Sequence, residues 1–310
     1  MKWAKNAWEI LKRSVFQYGA GSNFTYAAAI AFYTMLSLAP LLFLTVQLAA
    51  LFTSSDAAIQ EIVGQTRRLM GSESASTVRD VLSSASGDYG SSWMSILGIV
   101  LSLIGATTVL MQLQNALNEI WDVVPNPDTN MFRAVLLKRL VSLALLSAVG
   151  FLLLVSLIAD AALAALKAWF DNRLAEMSIP PWAMDLSQQT ISLILFTTVF
   201  ALLFRLLPDV RLNFRDVAFG AVVTAILFAI GKTLIGLYIG TAAVGSAYGA
   251  AGSLAALLTW VYYASALVLF GAEITRARAV QFNHTVTPDD EMHFTPSSSL
   301  NDDEEMNATV

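Results

Sequence analysis

Between Val217 and Ala272 the chain carries one charged residue, Lys232, and between Tyr26 and Phe52 it carries none. Runs of this length cannot be folded away in the interior of an ordinary soluble domain. A bilayer core about 30 Å thick is crossed by about 20 apolar residues in a helix, because lipid offers the backbone no hydrogen-bond partner. The sequence therefore predicts an all-α, polytopic membrane protein. Six segments meet the criterion, at about 26–52, 93–113, 140–159, 186–204, 217–239 and 254–272. Pro40 predicts a kink in the first. The last two are separated by a glycine-rich break from Gly240 to Ser253, containing Gly245, Gly249 and Gly252.

Orientation follows from Lys and Arg, which are retained on the cytoplasmic side. With the N-terminus inside, the inner segments hold twelve (Lys2 to Arg13, Arg133 to Arg139, Arg205 to Arg215, Arg276 and Arg278). The outer loops hold five. The expected location is the bacterial cytoplasmic membrane, with both termini in the cytoplasm. Residues 1–22 read as an interfacial helix rather than a signal peptide. Trp3, Ala7, Ile10, Leu11, Val15 and Tyr18 recur at helical spacing beside Lys2, Lys5, Lys12 and Arg13, a pattern suited to anionic headgroups. The first outer loop, 53–92, shows apolar spacing at Ile59, Ile62, Val63, Thr66, Leu69 and Met70, which predicts one or two short amphipathic helices. Pro180 and Pro181 precede the fourth span, where proline suits a helix start.

Only 13% of the residues are charged, and seven of the 23 acidic ones fall between Asp289 and Glu305. The net charge of -5 is thus a property of the end of the chain, and without those seven the body stands at about +2. Residues 281–310 are expected to form a disordered acidic tail. There is no cysteine, and both histidines, His284 and His293, lie near the C-terminus. The ligands of most zinc and iron-sulfur chemistry are missing, so no metal and no cofactor are expected. No Gly-Lys-Ser/Thr phosphate loop is present.

Three features carry candidate chemistry. Lys232 lies inside the fifth span, where an ionisable group is costly. It either snorkels to the outer boundary or faces a cavity as a binding charge, with Asp160 as a candidate counter-ion. The second span continues beyond its apolar run to the breaker Pro125-Asn126-Pro127, and Gln112, Asn115, Glu119 and Asp122 share one face of that extension. This polar stripe is either a solvated surface or part of a passage. Asn118 lies on the same extension, and Arg205 and Glu273 sit at the same membrane level and are placed to pair. Gly236 and Gly240, like Gly245 and Gly249, are four apart, the spacing of close helix approach in lipid. Tyr248 lies within the second pair.

Four segments resemble the YihY/virulence factor BrkB family of bacterial inner-membrane proteins. They are Tyr26 to Phe43 (YAAAIAFYTMLSLAPLLF), Leu113 to Val123 (LQNALNEIWDV), Leu207 to Lys232 (LPDVRLNFRDVAFGAVVTAILFAIGK) and Ser246 to Ile274 (SAYGAAGSLAALLTWVYYASALVLFGAEI). The resemblance implies six helices, and Lys232, Asn115, Asn118, Tyr248, Gly249, Gly252, Gly271 and Glu273 fall on the family's pattern. Members have often carried the label ribonuclease BN. Metal-assisted phosphodiester hydrolysis would need clustered His and carboxylate ligands, which the spans do not supply, so no enzyme is expected. The favoured reading is a transporter or flippase-like handler of a lipid or other anionic amphiphile, with candidate substrate contacts at Lys232, Asn115, Asn118, Glu119, Tyr248, Arg205 and Glu273. The alternative is a non-transporting scaffold or envelope assembly factor. Membrane lipids are the expected partners, with other envelope proteins on the scaffold reading, and no nucleic acid.

The topology is directly testable, because the natural chain has no cysteine to interfere. Single cysteines at Ser84 or Ser178 are expected to react with an impermeant thiol reagent in whole cells, and ones at Asn126 or Asn213 are not.

Overall fold

The computed structural model describes residues 2–49, 54–85, 108–125, 181–241, 251–289 and 292–295. Helix α1 covers Lys2–Ala20, α2 Asn23–Ala49, and α3 Ser55–Ala85. The described part of α4 covers 108–120. It is followed by strand β1 (Val123–Pro125), α5 (Pro181–Leu206), β2 (Val210–Arg211), α6 (Phe214–Thr241), α7 (Gly252–Gln281), β3 (Thr287–Pro288) and β4 (Met292–Phe294). Three helices among the described residues are long and apolar enough to cross a membrane, over Gln189–Leu206, Phe214–Tyr238 and Gly252–Gln281. Helix α2 occupies the first expected span and continues through Pro40 as one helix. The expected third span, most of the second, Asp160, Gly245, Tyr248 and Gly249 lie outside the described residues.

Helix α7 is the hub, packing against α1, α2, α3 and α6, while α5 packs on α6. The α6–α7 seam closes because small residues face one another. A Cβ on Gly220 would run into the Thr275 hydroxyl, and a Cβ on Gly271 into the Thr224 hydroxyl. Each threonine turns its hydroxyl back onto its own helix, Thr224 Oγ1 to Gly220 O at 2.6 Å and Thr275 Oγ1 to Gly271 O at 2.9 Å. Neither hydroxyl at the contact is thereby left without a hydrogen bond. The expectation placed such a contact at Gly236 and Gly240. Among the described residues, Gly236 has no neighbour within reach of an added Cβ. Four-residue spacing marks a helix as able to approach closely, but does not select the partner.

Above this contact the seam is aromatic. Phe196, Phe200 and Phe204 of α5 follow one another up the helix, and Phe228 of α6 meets Phe196 at 4.8 Å and Phe200 at 5.8 Å between ring centroids. Trp260 of α7 stands edge-on to Phe228 at 5.9 Å, a preferred arrangement of aromatic rings. Helix α3, in the first loop, is begun by Ser54, whose Oγ accepts the Ala57 N–H at 3.2 Å. It breaks at Gly71, where φ is +85°, a conformation glycine adopts without steric cost. Its Val63, Ala75, Val78 and Leu82 pack on Leu42 and Val46 of α2.

Helices α5 and α7 end, and α6 begins, at one end of the bundle, here termed basal. Helix α1 joins them there, with Ile10 packed on Ile274 and Ala277, while Trp8, Leu11, Val15 and Phe16 stay exposed. The C-terminal segment corrects the expectation of a wholly disordered tail over 281–310. After α7 the chain reverses at Asn283 (φ +48°), His284 N–H donating to Ala279 O at 3.0 Å. It then runs back along the basal end, β3 pairing antiparallel with β2 and β4 with β1. Met292 and Phe294 are buried, and this apolar anchorage with two short ladders offsets the acidic composition. Residues 296–310 lie outside the described residues.

The glycine contact predicts that Gly220→Ala lowers the melting temperature in detergent, overpacking of this kind costing about 1–3 kcal/mol. Adding Thr275→Ala should recover part of the loss.

Candidate functional site

Two polar constellations interrupt this apolar bundle. The larger is a junction at the basal end, whose charged members are supplied by the ends of elements. Asp216, in the first turn of α6, is buried yet accepts from Arg278 Nε at 3.0 Å and lies 2.6 Å from His284 Nδ1. One carboxylate thus joins the start of α6, the end of α7 and the C-terminal segment. Arg278 also lies over the Phe219 ring, 4.4 Å from its centroid. Asp122 closes α4 in the left-handed region (φ +54°), pairs with Arg276, and gives its carbonyl to Thr295 N–H at 2.8 Å.

Asp209, in the α5–α6 connection, accepts from Gln114 Nε2 at 2.9 Å and Asn118 Nδ2 at 2.7 Å, and its own N–H donates to Asn118 Oδ1 at 2.9 Å. Asn118 therefore satisfies a side chain and a backbone donor of the same residue. On the N-terminal side, Glu273 is buried and accepts from Asn23 Nδ2 at 3.2 Å, and its backbone carbonyl accepts from Ser14 Oγ at 3.4 Å. Tyr18 donates to Ala266 O at 3.0 Å. Burial, with the nearby Tyr262 and Glu273, pushes the Tyr18 phenol up to about 12, so it remains a donor. Glu273 Oε2 and Arg276 Nε are buried without hydrogen-bond partners among the described residues.

The smaller constellation lies in the α6–α7 seam. Phe228, Gly231 and Lys232 are three and four residues apart and share a face of α6; Trp260 and Tyr263 share a face of α7. The Tyr263 hydroxyl occupies the space a side chain on Gly231 would take. Trp260 Nε1 is buried with no acceptor among the described residues. Lys232, half-buried, has no ion pair or hydrogen bond among them either. It stands roughly 9 Å of helical rise from Tyr238, where the apolar window of α6 ends. All three groups carry donors.

Of the residues expected at the site, Glu273 and Asn118 enter the junction, while Lys232, half-buried, lies one residue beyond Gly231 on α6. Asn115 and Glu119 are exposed, Glu119 taking a hydrogen bond from Tyr26. The expected stripe is not one surface, since Asp122 at its end is tied to Arg276. The face that binds protein is the neighbouring one, Gln114 and Asn118. Arg205 does not pair with Glu273; it lies over the Phe214 ring at 5.7 Å, while Glu273 takes Asn23. Asp209, Asp216, Arg276, Arg278 and His284 escaped sequence reasoning as site residues. Their one signal was that Asp209 and Asp216 bracket a turn, Pro208 to Asn213, between two apolar runs. Among the described residues no group of three His, Cys, Asp or Glu converges as metal ligands.

The family model described as Virulence factor BrkB matches residues 16–295, which includes the C-terminal segment up to β4. Among curated relatives, a ribonuclease-like protein, YfkH, of Bacillus subtilis (strain 168) is 26% identical over 268 residues, covering 85% of this chain and 93% of the relative. A UPF0761 membrane protein of Idiomarina loihiensis is 40% identical over 77 residues, 24% of this chain and 27% of that protein. One of Pseudomonas aeruginosa (strain LESB58) is 30% identical over 177 residues, 56% of this chain and 40% of that protein. The chain thus spans well under half of these last two. No solved structure matches the chain.

The two faces of α4 should separate on mutation. Asn118→Ala strands Asp209 and is expected to cost about 1–3 kcal/mol in detergent melting, whereas Asn115→Ala should stay within about 0.5 kcal/mol.

Proposed function

Because the chain belongs to the BrkB virulence-factor family of membrane proteins, we propose that it is a multi-pass transporter that moves or flips an anionic amphiphile in the bacterial inner membrane. The observation that carries this reading is Lys232, a cation inside a membrane-spanning helix with no counter-ion among the described residues. An intramembrane charge of this kind is costly and marks substrate or ion pathways. Its surroundings add to the argument. Trp260 Nε1–H and the Tyr263 hydroxyl, on the facing helix, are donors as well, so the seam suits an anionic or acceptor-rich head, with the aromatic stack of Phe196, Phe200 and Phe228 beside it for an apolar body.

The proposal includes six spans, both termini in the cytoplasm and the basal end at the cytoplasmic surface. Arg205, Arg211, Arg215, Arg276 and Arg278 all gather at that end, in keeping with the retention of positive charge. A role without catalysis is part of the same reading. The ribonuclease-like name belongs to the Bacillus relative.

The test is translocation of labelled anionic lipids by the purified protein in liposomes. Lys232→Met should abolish it and Lys232→Arg should preserve part of it, both variants staying folded. A snorkelling lysine contributes through its stem, so equal rates for wild type and Lys232→Met would overturn the proposal.

A further inference from the structure

At the basal end, outside the seam, a cleft of about 430 Å³ opens between the α5–α6 connection and the chain reversal after α7. It is lined by Arg211, Leu212, Asn213, Asn283, His284, Thr285 and Thr287. Among the described residues no carboxylate lines it. The polar lining consists of a guanidinium, an imidazole, two amides and two hydroxyls, and the guanidinium, amides and hydroxyls can all donate. A cleft so composed favours an anion with several acceptor oxygens, and a guanidinium suits phosphate geometry in particular.

Two acidic groups that contact lining residues, Asp216 and Asp289, are themselves engaged. Asp216 is buried under Arg278 and His284. Asp289 meets Arg211 Nε at 3.4 Å, with both side chains about half exposed or more (66% and 48%). An exposed pair at that distance is weak, and a doubly or singly charged phosphate can compete for the guanidinium. His284 is held by its Nδ1 at Asp216 and by stacking on Phe282, ring centroids 5.8 Å apart, so its position in the lining is fixed by groups outside the cleft.

The location selects the source of the phosphate. The cleft lies where three membrane-spanning helices terminate, α5 at Leu206, α6 at Phe214 and α7 at Gln281. Leu206, Phe214 and Phe282, at these helix ends, are exposed, with Arg205 over Phe214. Apolar and aromatic side chains at helix ends beside arginines are the setting of the headgroup layer, and basic pockets at such ends hold lipid head groups. We propose that this cleft binds the phosphate of an anionic phospholipid of the adjacent leaflet, through Arg211 and the Thr285 and Asn283 side chains. The site is separate from the seam, so it stands or falls independently of transport through Lys232.

The test is a binding titration of the purified full-length protein in detergent. The probes are a short-chain phosphatidylglycerol, a phosphatidylcholine of equal chain length as the zwitterionic control, and inorganic phosphate. Wild type is expected to bind phosphatidylglycerol at least tenfold more tightly than phosphatidylcholine. Arg211→Gln should weaken this at least tenfold and Thr285→Val several-fold. Asp289→Asn, which removes the same ion pair but keeps the guanidinium, should leave binding unchanged or tighten it. Lys232→Met should bind like wild type. If inorganic phosphate binds with the same dependence on Arg211 and the lipid does not, the lipid assignment is overturned and the site serves a soluble phosphate. Equal binding by wild type and Arg211→Gln overturns the site itself. So does a loss in Asp289→Asn as large as in Arg211→Gln, which would trace the effect to the broken ion pair.

Discussion

The buried carboxylate of Asp216 is the interaction around which the basal end is organised. Taking an ion out of water costs several kcal/mol, recovered only when partners are close and hydrogen bonds are made. Asp216 obtains them from Arg278 and His284, residues 62 and 68 positions away in sequence. That requirement fixes where α6 starts against the end of α7 and turns the chain after Gln281 back across the basal surface. The β2–β3 and β1–β4 pairs then fall into place, along with Asp122 and Asp209 beside them. Breaking such a pair from one side costs about 3–5 kcal/mol, so these ends cannot drift separately.

The long helices were legible because lipid leaves the backbone no alternative, and length with absence of charge is a property of the sequence alone. Pro181 in the first turn of α5 was legible for a similarly local reason. Contacts were not. On α4, helical spacing correctly groups Asn115 with Glu119 and Gln114 with Asn118. Which pair turns toward protein depends on Asp209, some 91 residues away from Asn118, and no periodicity encodes that. Gly236 and Gly220 each stand four residues from a small partner, and only the facing helix decides which is used. The segment from Asn283 to Thr295 has the composition of a tail, yet Met292 and Phe294 alternate about His293 and bury on one side.

These findings divide the protein into a tied end and a looser seam. Most polar groups of the basal junction are paired with one another, Glu273 Oε2 and Arg276 Nε excepted, whereas in the seam Trp260 Nε1 has no acceptor and Lys232 no ion pair or hydrogen bond among the described residues. A transporter needs both, since a site that pairs internally has nothing to offer a substrate, and a bundle without fixed ends cannot hold such a site in register. The Gly220–Thr275 and Gly271–Thr224 contacts lie between the two regions and transmit the alignment of the ends to the seam.

The charge network at the basal end, rather than apolar packing alone, holds the C-terminal segment against the helix ends. Hydrogen exchange by mass spectrometry of the full-length protein in nanodiscs, comparing wild type with Asp216→Asn, tests this most directly. In the variant the amides of Thr287, Met292 and Thr295 are expected to lose protection at least tenfold while the interiors of α5, α6 and α7 keep theirs. Unchanged protection of those three amides would contradict that role of the network.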